Sequence, residues 1–355
     1  MDLIHPSSRA DVVEAIRDAN AIARRLLVVG GRRHLDRGNP GEVDAELWTT
    51  QLDRLVTYEP AEMIAVIESG MRIGELDRIL ADGGQEWPSD APKDATVGGV
   101  LASGASSARR LKVGALRDTV LEAEIVTGDG RLVRSGARTV KNVTGYDLHK
   151  LVVGSLGTLG VIVQVAIKVR PLPHARRTIR FVGDLALARV LVDAVHGSTA
   201  VLATSGTVEL RLEGWPEEVE EQTTSARRVS DATAQDDASF PLERPWEAMP
   251  VVVEAAVPPS RLDATIVGDA WGALAGVGLA WVGLGWPNGE LVQVRDRVRA
   301  VGGIAPVVRG PGGLGDSPVA APEVQRRLKL AFDPNGVLAP GRGWESSSSS
   351  SIVRE

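Results

Sequence analysis

Residues 141–151 read Lys-Asn-Val-Thr-Gly-Tyr-Asp-Leu-His-Lys-Leu, and residues 154–162 read Gly-Ser-Leu-Gly-Thr-Leu-Gly-Val-Ile. The first stretch is polar, and the second places glycine at every third position before an apolar run that starts at Val161. Because glycine has no Cβ, this spacing indicates a backbone that passes close to a bulky ligand. The spacing lacks the Gly-x-Gly opening of a Rossmann dinucleotide loop, and the apolar run predicts a strand where that fold needs a helix.

Two pairs of consecutive glycines lie upstream. Gly30-Gly31 follows the apolar residues 26–29, and Gly98-Gly99 lies within residues 95–104, which read Ala-Thr-Val-Gly-Gly-Val-Leu-Ala-Ser-Gly. Each pair is predicted to form a nest of backbone N–H groups that holds phosphate, and Thr96 could add a hydroxyl. A single pair of this kind usually marks only a turn.

Together these stretches resemble the flavin-binding domain of the FAD-linked oxidases, the vanillyl-alcohol oxidase/PCMH superfamily. The wording of residues 141–151 is similar to that of the smaller, FAD-binding E subunits of bacterial glycolate oxidases. The resemblance is dense over residues 20–173, thin over 176–328 and clear again over 329–342. It implies an α+β fold, with a PCMH-type FAD-binding domain of two α/β lobes and a smaller α/β cap domain.

The domain boundaries follow from proline positions and from the resemblance. Pro171 and Pro173 end a long predicted strand and set the limit of an FAD-binding domain over residues 1–175. We expect a cap or substrate domain over 176–328, a segment that returns to the FAD domain over 329–345, and a serine-rich disordered tail over 346–355.

The resemblance also implies a set of FAD-binding residues. Residues 30–34 match a pyrophosphate loop, and residues 96–104 match a loop along the diphosphate and the ring. Residues 114–118 match a short turn, and residues 160–162 match backbone that hydrogen-bonds the ring or the adenine end. The resulting set is Gly30, Gly31, Arg32, Arg33, His34, Thr96, Val97, Gly98, Gly99, Ala102, Ser103, Gly104, Arg109, Gly114, Arg117, Asp118, Tyr146, Gly160, Val161 and Ile162.

Three members of this set have alternative interpretations. His34 could carry a covalent flavin link, but a phosphate contact or a solvated loop histidine is the simpler reading. Arg109 could hold phosphate or place a positive charge near the flavin ring, or lie on a solvated face. Tyr146 is either a cofactor neighbour or a core tyrosine.

Composition excludes several classes of protein. The 355 residues include no cysteine, so the chain holds no disulfide, thiolate nucleophile or iron–sulfur cluster. The net charge of −6, without a basic stripe, argues against nucleic-acid binding. Residues 1–6 do not resemble a signal peptide, and we interpret the uncharged stretch 270–287 as a helix end, a turn and a buried strand at 279–284 rather than a membrane span. We expect a cytoplasmic protein, or one at the inner membrane face through partners.

The chemistry of a complete enzyme is only partly visible. Dehydrogenation of a 2-hydroxy acid needs a base, a cation for the carboxylate and the flavin as hydride acceptor. His196 is the single histidine beyond residue 175, so no metal site is expected and no catalytic residue is assigned. Arg211 and Arg309 are conceivable carboxylate partners. Ala339 stands where the family usually has asparagine, which weakens the case for full catalytic machinery.

Two functions follow from the resemblance. In the first, the chain is an FAD-binding oxidoreductase subunit of a glycolate or D-2-hydroxy-acid oxidase complex, and it passes electrons to a larger FAD-binding catalytic subunit and an iron–sulfur subunit. In the second, it is a structural or assembly subunit of the same complex without turnover.

Overall fold

A computed structural model describes residues 1–138, 146–236, 239–285, 289–311, 313 and 321–343. The expected cofactor-loop residues 141–145 and the expected tail at 346–355 lie outside this part of the chain. The chain divides into two compact units. Unit 1 comprises Met1–Ser106, Ala115–Leu172 and the chain from Val319 onward, whereas unit 2 comprises Ser107–Gly114 and Pro173–Pro318. Sequence reasoning had placed residues 107–114 in the first domain.

The first lobe of unit 1 is a three-stranded parallel sheet with one helix. Its elements are β1 (Asp2–Ile4), α1 (Arg9–Ala21), β2 (Leu26–Val29) and β3 (Ala45–Trp48), with strand order β1-β3-β2. Helix α1 starts as its sequence predicts, because Ser8 and Asp11 form a capping box. Val12 and Ile16 pack with Leu26 and Leu47 in a core from which water is excluded.

The second lobe is a five-stranded antiparallel sheet in the order β4-β5-β9-β7-β8. The elements of this part of the chain are β4 (Leu55–Glu59), β5 (Ile64–Glu68), α2 (Ile73–Asp82), β6 (Gln85–Glu86), α3 (Val97–Ser103), β7 (Val120–Val126), β8 (Leu132–Gly136), β9 (Val161–Lys168) and β10 (Arg170–Pro171). Strand β9 is buried along almost its whole length, as expected for an apolar run in the centre of a sheet. Strand β9 begins directly after the glycine-spaced residues 154–160.

Unit 2 is built on an eight-stranded sheet in the order β14-β11-β13-β12-β16-β17-β15-β18, and all its strand pairs are antiparallel. Its elements are α4 (Arg110–Val113), β11 (Ala175–Val182), α5 (Leu185–Ala194), β12 (Ala200–Thr204), β13 (Thr207–Gly214), α6 (Pro216–Arg227), β14 (Ala232–Asp236), β15 (Val251–Ala256), β16 (Trp271–Leu274), β17 (Leu279–Leu284), α7 (Glu290–Ala300) and β18 (Val307–Arg309). Helices α5, α6 and α7 pack their apolar faces on its main core.

One interpretation of unit 2 needs correction. The uncharged stretch from residue 270 contains the strand β16, not a helix end, and only its second half forms the expected strand, β17. Helix α6 lies at the surface, and the chain continues from it into the edge strand β14. Among the described residues, no helix is long and apolar enough to cross a bilayer.

The chain then comes back to unit 1 through α8 (Pro322–Phe332) and the segment that follows it. The Leu26 N–H donates to the carbonyl of Val337 at 2.7 Å, and the Ala339 N–H donates to the carbonyl of Leu26 at 2.7 Å. Leu338 therefore pairs in parallel with Leu26 beside β2. Residues 337–339, which follow α8, thus add a short strand-like segment to the first lobe.

Candidate functional site

The loop after β2 offers backbone donors. Its Arg32 has a left-handed backbone, with φ at 58°. Among the described residues, the N–H groups of Gly31, Arg32 and Arg33 have no hydrogen-bond partner. Successive N–H groups in such a turn form a concave site for an anion. The predicted nest at the first glycine pair is therefore available to a ligand.

The two arginine side chains of this loop are already engaged. Arg32 Nη1 donates to both carboxylate oxygens of buried Glu46, at 2.8 and 3.0 Å, and the guanidinium lies over the ring of Trp48. Trp48 in turn donates its indole N–H to Glu46 at 2.9 Å. Arg33 pairs with Asp94. These ion pairs fix the loop and balance the charge of both guanidinium groups.

Glycine is required in this loop because protein atoms approach it closely. A Cβ on Gly30 would lie 2.1 Å from Thr96 Oγ1, and a Cβ on Gly31 would lie 2.5 Å from the carbonyl oxygen of Asp94. The same holds in the glycine-rich stretch 154–162, where a Cβ on Gly160 would lie 2.4 Å from Ile125 Cγ2. At these positions, contacts inside the protein account for glycine before any ligand is considered.

The second glycine pair does not form a free nest. Residues 97–103 are helical rather than a loop, and Thr96 caps the helix by accepting the Gly99 N–H at 3.2 Å. The Gly98 N–H donates to the carbonyl of Ser69 at 2.7 Å. Both N–H groups are therefore used inside the protein, and the prediction of a phosphate nest at Gly98-Gly99 is wrong.

Two pockets that share five lining residues nevertheless lie at the two glycine elements within unit 1, and together they are called the cleft. One part of it is lined by residues 27–28, 30–35, 95–96, 99, 102–103, 156 and 342, and an adjoining part by 28, 30, 49, 98–99, 102, 156–157, 160 and 162. Val28, Gly30, Gly99, Ala102 and Leu156 belong to both parts. The cleft brings together the predicted residues Gly30, Gly31, Arg32, Arg33, His34, Thr96, Gly98, Gly99, Ala102, Ser103, Gly160 and Ile162.

Other predicted residues do not line this cleft. Val97 and Val161 are core residues, and Gly104 ends α3 in a left-handed conformation against Gly154. Arg109 and Gly114 belong to unit 2, where Arg109 lies 3.7 Å from the carboxylate of Glu213.

Three further residues of the predicted set lie at the surface of unit 1. Arg117 and Asp118 are exposed and face each other at 3.8 Å. Tyr146 is 91% exposed, so the alternative of a core tyrosine is wrong.

Sequence reasoning did not assign eight of the residues that line the cleft, and Leu156 and Arg342 are two of them. Leu156 has a left-handed backbone, with φ at 56°, and lines both parts. Leucine rarely adopts this conformation, and no sequence pattern reveals it. Arg342 lies in the C-terminal segment that was expected to return to the FAD domain. Its distance along the chain from residues 30–35 hid its place beside them.

The Arg342 side chain is partly buried and lies among backbone carbonyls. Its Nη2 donates to the carbonyl oxygens of Leu35, at 2.9 Å, and Arg37. Its Nε is buried and has no hydrogen-bond partner in the described part of the chain. Burial lowers the pKa of this guanidinium, and the charge of Asp36 opposes that effect.

Comparison with known proteins identifies the class of ligand. A family model described as an FAD binding domain matches residues 3–136. Glycolate oxidase subunit GlcE of Escherichia coli is 28% identical over 350 residues, which cover 93% of this chain and 96% of the relative. Residues 3–136 thus match an FAD-binding domain, and the whole chain is similar to a subunit of an FAD-linked oxidase. The resemblance inferred from the sequence is confirmed, and so is FAD as the cofactor.

Other relatives match about half of this chain. A D-lactate dehydrogenase of Archaeoglobus fulgidus is 33% identical over 48% of the chain, and glycolate oxidase subunit GlcD of Bacillus subtilis is 29% identical over 48%. The chain covers only 38% and 39% of these two proteins. It is thus an FAD-binding oxidoreductase related to glycolate oxidase subunits and hydroxy-acid dehydrogenases.

Solved structures support the expected fold class. An alkyldihydroxyacetonephosphate synthase superposes with a TM-score of 0.68 at 18% identity, covering 95% of this chain and 76% of the other. At that identity the likeness concerns the fold alone. The α+β, PCMH-type fold that the sequence predicted is confirmed.

The cleft fits FAD in its chemistry. A flavin dinucleotide presents a diphosphate, which needs converging donors, and a broad ring system, which needs apolar walls. The unpaired amides of residues 31–33 and the guanidinium of Arg342 supply the donors. Val28, Leu156 and Ile162 supply apolar wall. When bound, FAD supplies the capacity to accept a hydride.

Unit 2 offers little free chemistry among its described residues. His196 is exposed beyond the end of α5. Buried Arg211 donates to Glu213 at 3.1 Å and to Thr178 Oγ1 at 3.0 Å. Arg309 donates to the carbonyls of Glu247, at 2.6 Å, and Met249, at 2.8 Å. Both arginines therefore have structural bonds that a substrate carboxylate would have to replace.

Proposed function

We propose that this chain is the FAD-binding subunit of a complex that oxidises glycolate or a D-2-hydroxy acid. The observation that carries the proposal is the pattern of coverage. The chain aligns with nearly the whole of glycolate oxidase subunit GlcE, but with only 38% of a D-lactate dehydrogenase and 36% of a D-2-hydroxyglutarate dehydrogenase. The match to a subunit over its full length favours a role beside partner proteins.

The residues proposed to hold FAD lie in the cleft of unit 1. The N–H groups of residues 31–33 would donate hydrogen bonds to the diphosphate. The hydrogen bonds of Thr96 and Gly98 keep α3 packed behind it. His34 lines the same part of the cleft and is proposed as a phosphate neighbour rather than a covalent link. The partly buried, apolar wall would exclude water from the ring.

Electrons must leave the flavin through another protein if iron–sulfur centres receive them, because this chain has no cysteine. A larger FAD-binding subunit and an iron–sulfur subunit are therefore the proposed partners. The cytoplasm, or the inner membrane face through those partners, is the proposed location.

A second candidate is a structural subunit that binds FAD without turnover. The engaged state of Arg211 and Arg309, together with exposed His196, favours it, because unit 2 shows no ready base or carboxylate clamp among its described residues. The two candidates predict the same cofactor but different reactivity.

The experiment is an anaerobic titration followed by the visible flavin spectrum. Glycolate and D-lactate are added to the purified chain alone and to the chain co-purified with its partners, with L-lactate as the matched control. We expect a yellow chain that D-substrates bleach only when the partners are present. Bleaching of the isolated chain would show an independent dehydrogenase. If the flavin of this chain stays oxidised in the reduced complex, the structural role is the correct one.

A further inference from the structure

The cations that line the cleft beside residues 30–35 differ in how their charges are balanced. Arg32 and Arg33 each form an ion pair with a carboxylate, Glu46 and Asp94 respectively. In the described part of the chain, Arg342 has no such partner, and its recorded side-chain hydrogen bonds go to backbone carbonyls. Removing a cation from water is costly unless an opposite charge or a full set of acceptors replaces the water. Arg342 has neither.

Within the described ranges, the buried donor of the Arg342 guanidinium that lacks a partner is its Nε. Nε is inaccessible to water and bonds to nothing in the described residues. Arg342 lines the same pocket as Gly31, Arg32 and Arg33, whose amides are also unpaired. A guanidinium that lines the pocket, together with three amides that have no partner among the described residues, supplies the kind of donors that an anion with several oxygen atoms requires.

We propose that Arg342 is the cation that binds the diphosphate of the cofactor, acting with the amides of residues 31–33. The residue comes from the C-terminal segment and reaches the pocket from the side of Leu35 and Gly38. A Cβ on Gly38 would lie 3.1 Å from the carbonyl oxygen of Arg342 and 3.4 Å from its Nη2, so the loop and the arginine pack closely. This inference rests on FAD binding and not on the proposed substrate or partners.

The test measures binding of ADP and of adenosine to the full chain freed of flavin, by calorimetry. ADP carries the diphosphate and adenosine does not. In the R342Q variant we expect the Kd for ADP and FAD to rise about tenfold to a hundredfold, since a hydrogen bond to a charged group contributes about 1.5–3 kcal/mol. The Kd for adenosine should stay within about twofold, because no charge is involved.

A merely structural arginine would also fix residues 35–37, so a second readout is needed. In the wild type, the ADP affinity should weaken as salt increases, because salt screens charges. We expect R342Q to flatten this salt dependence and R342K to restore it, since lysine keeps the charge but cannot hold two carbonyls in the same geometry.

The matched control is R326Q, which removes an exposed arginine paired with Glu323 on α8 of the same unit. It should leave both affinities and the salt dependence unchanged. Equal losses for ADP and adenosine in R342Q, or an unchanged salt dependence, would overturn the proposal, and so would a wild type that does not bind ADP. If R342Q does not fold, the salt dependence of ADP affinity in the wild type and in R342K still tests the proposal. Failure of substrate to bleach the flavin would concern only the proposed function.

Discussion

Gly30 and Thr96 determine how closely the first loop and α3 approach each other. Thr96 is fully buried, and its hydroxyl both caps α3 and occupies the space beside Gly30. A side chain at position 30 must therefore displace a rigid, β-branched residue that already holds a helix end. The fit of these two residues sets the back wall of the cleft.

Gly30→Ala should destabilise unit 1 by about 1–3 kcal/mol, because overpacking forces Thr96 to move. Thr96→Ala alone should cost about 1 kcal/mol for the lost cap. The double variant should lose less than the sum, since removing the hydroxyl makes room for the new methyl group. Urea denaturation of the three variants measures this coupling.

Gly289→Ala is the control for the glycine substitution. A Cβ at that position meets no atom of the described residues within 4 Å, and the backbone φ of −76° suits alanine. It should change the free energy of unfolding by less than about 0.5 kcal/mol. Additive losses in the double variant would contradict the proposed contact between residues 30 and 96.

His149 should make the stability of unit 1 depend on pH. The side chain is buried beside Ser135, and burial lowers the pKa of its imidazole below the ordinary value of 6.5. At neutral pH the ring is uncharged in both the folded and unfolded states. As pH falls through 6.5, the unfolded chain takes up a proton that the folded chain resists, so stability is lost.

His149→Gln should remove that loss. Between about pH 7 and 5, the unfolding free energy of the variant should fall less steeply than that of the wild type, by at most about 1.4 kcal/mol per pH unit. Exposed His196→Gln is the control and should retain the wild-type slope. Parallel curves for the wild type and His149→Gln would mean that burial does not affect this imidazole.

Ala339 shows how a residue departure can be misread from sequence. Loss of the usual asparagine suggested a missing hydrogen bond near the flavin ring. In the structure, Ala339 is buried with φ at 43°, in the left-handed region where asparagine is among the best-tolerated side chains. The backbone conformation at this position is itself a sufficient reason for asparagine in the family.

At the scale of elements, Asp333 links α8 to the closing segment. Its carboxylate accepts the N–H groups of Val337, at 3.0 Å, and Leu338, at 2.9 Å, and it pairs with Lys329 at 2.7 Å. Lys329 also donates to the carbonyl of Leu338. The segment that carries Arg342 is thus held at its start by one buried carboxylate.

Asp333→Asn should destabilise the protein by about 3–5 kcal/mol, because it removes one partner of a buried ion pair. It should also weaken FAD binding by loosening residues 337–342. Glu323→Gln, which breaks an exposed pair on the same helix, should cost less than about 1 kcal/mol. Chemical denaturation and FAD titration of both variants check this. Similar small losses in the two variants would show that Asp333 does not anchor the segment.

The elements that could be predicted from sequence are those with strong local signals. The capping box of α1, the apolar run of β2 and the turn between β7 and β8 each act over a few residues. Helix α3 was missed because its Gly-Gly pair disfavours a helix, by about 1 kcal/mol for each glycine. Close packing of Gly98 against Ser69 offsets that preference. Strand β16 was missed because short apolar runs do not distinguish a strand from a helix.

In the candidate site, too, local signals in the sequence could be interpreted and long-range contacts could not. Gly30-Gly31 was predicted from its local pattern, and the resemblance implied Arg32, Arg33 and His34 beside it. Arg342 and Leu156 were missed because one depends on a distant chain return and the other on an unusual backbone angle. Arg109 was included from its neighbours in sequence, although it lies in unit 2.

At the scale of the whole molecule, FAD should stabilise the two units unequally, because the cleft is built within unit 1. FAD at a hundred times its Kd adds about 2.7 kcal/mol to the stability of the unit that binds it. In hydrogen exchange, the largest slowing should fall on residues 27–38, 95–104 and 337–343. Helix α6 of unit 2 serves as the internal reference. Slowing that is largest in α6 would place the cofactor outside the cleft.

The pairing of residues 337–342 with the first lobe has a consequence for biosynthesis. Arg342 follows Leu35 by 307 residues. At about 5–20 residues per second, a ribosome needs about 15–60 s to make that length of chain. The first lobe of the nascent chain therefore lacks the strand-like segment 337–339 until about 300 further residues have been made. Cofactor loading should be a late event, and supply of flavin early in translation should not increase the yield of holoprotein.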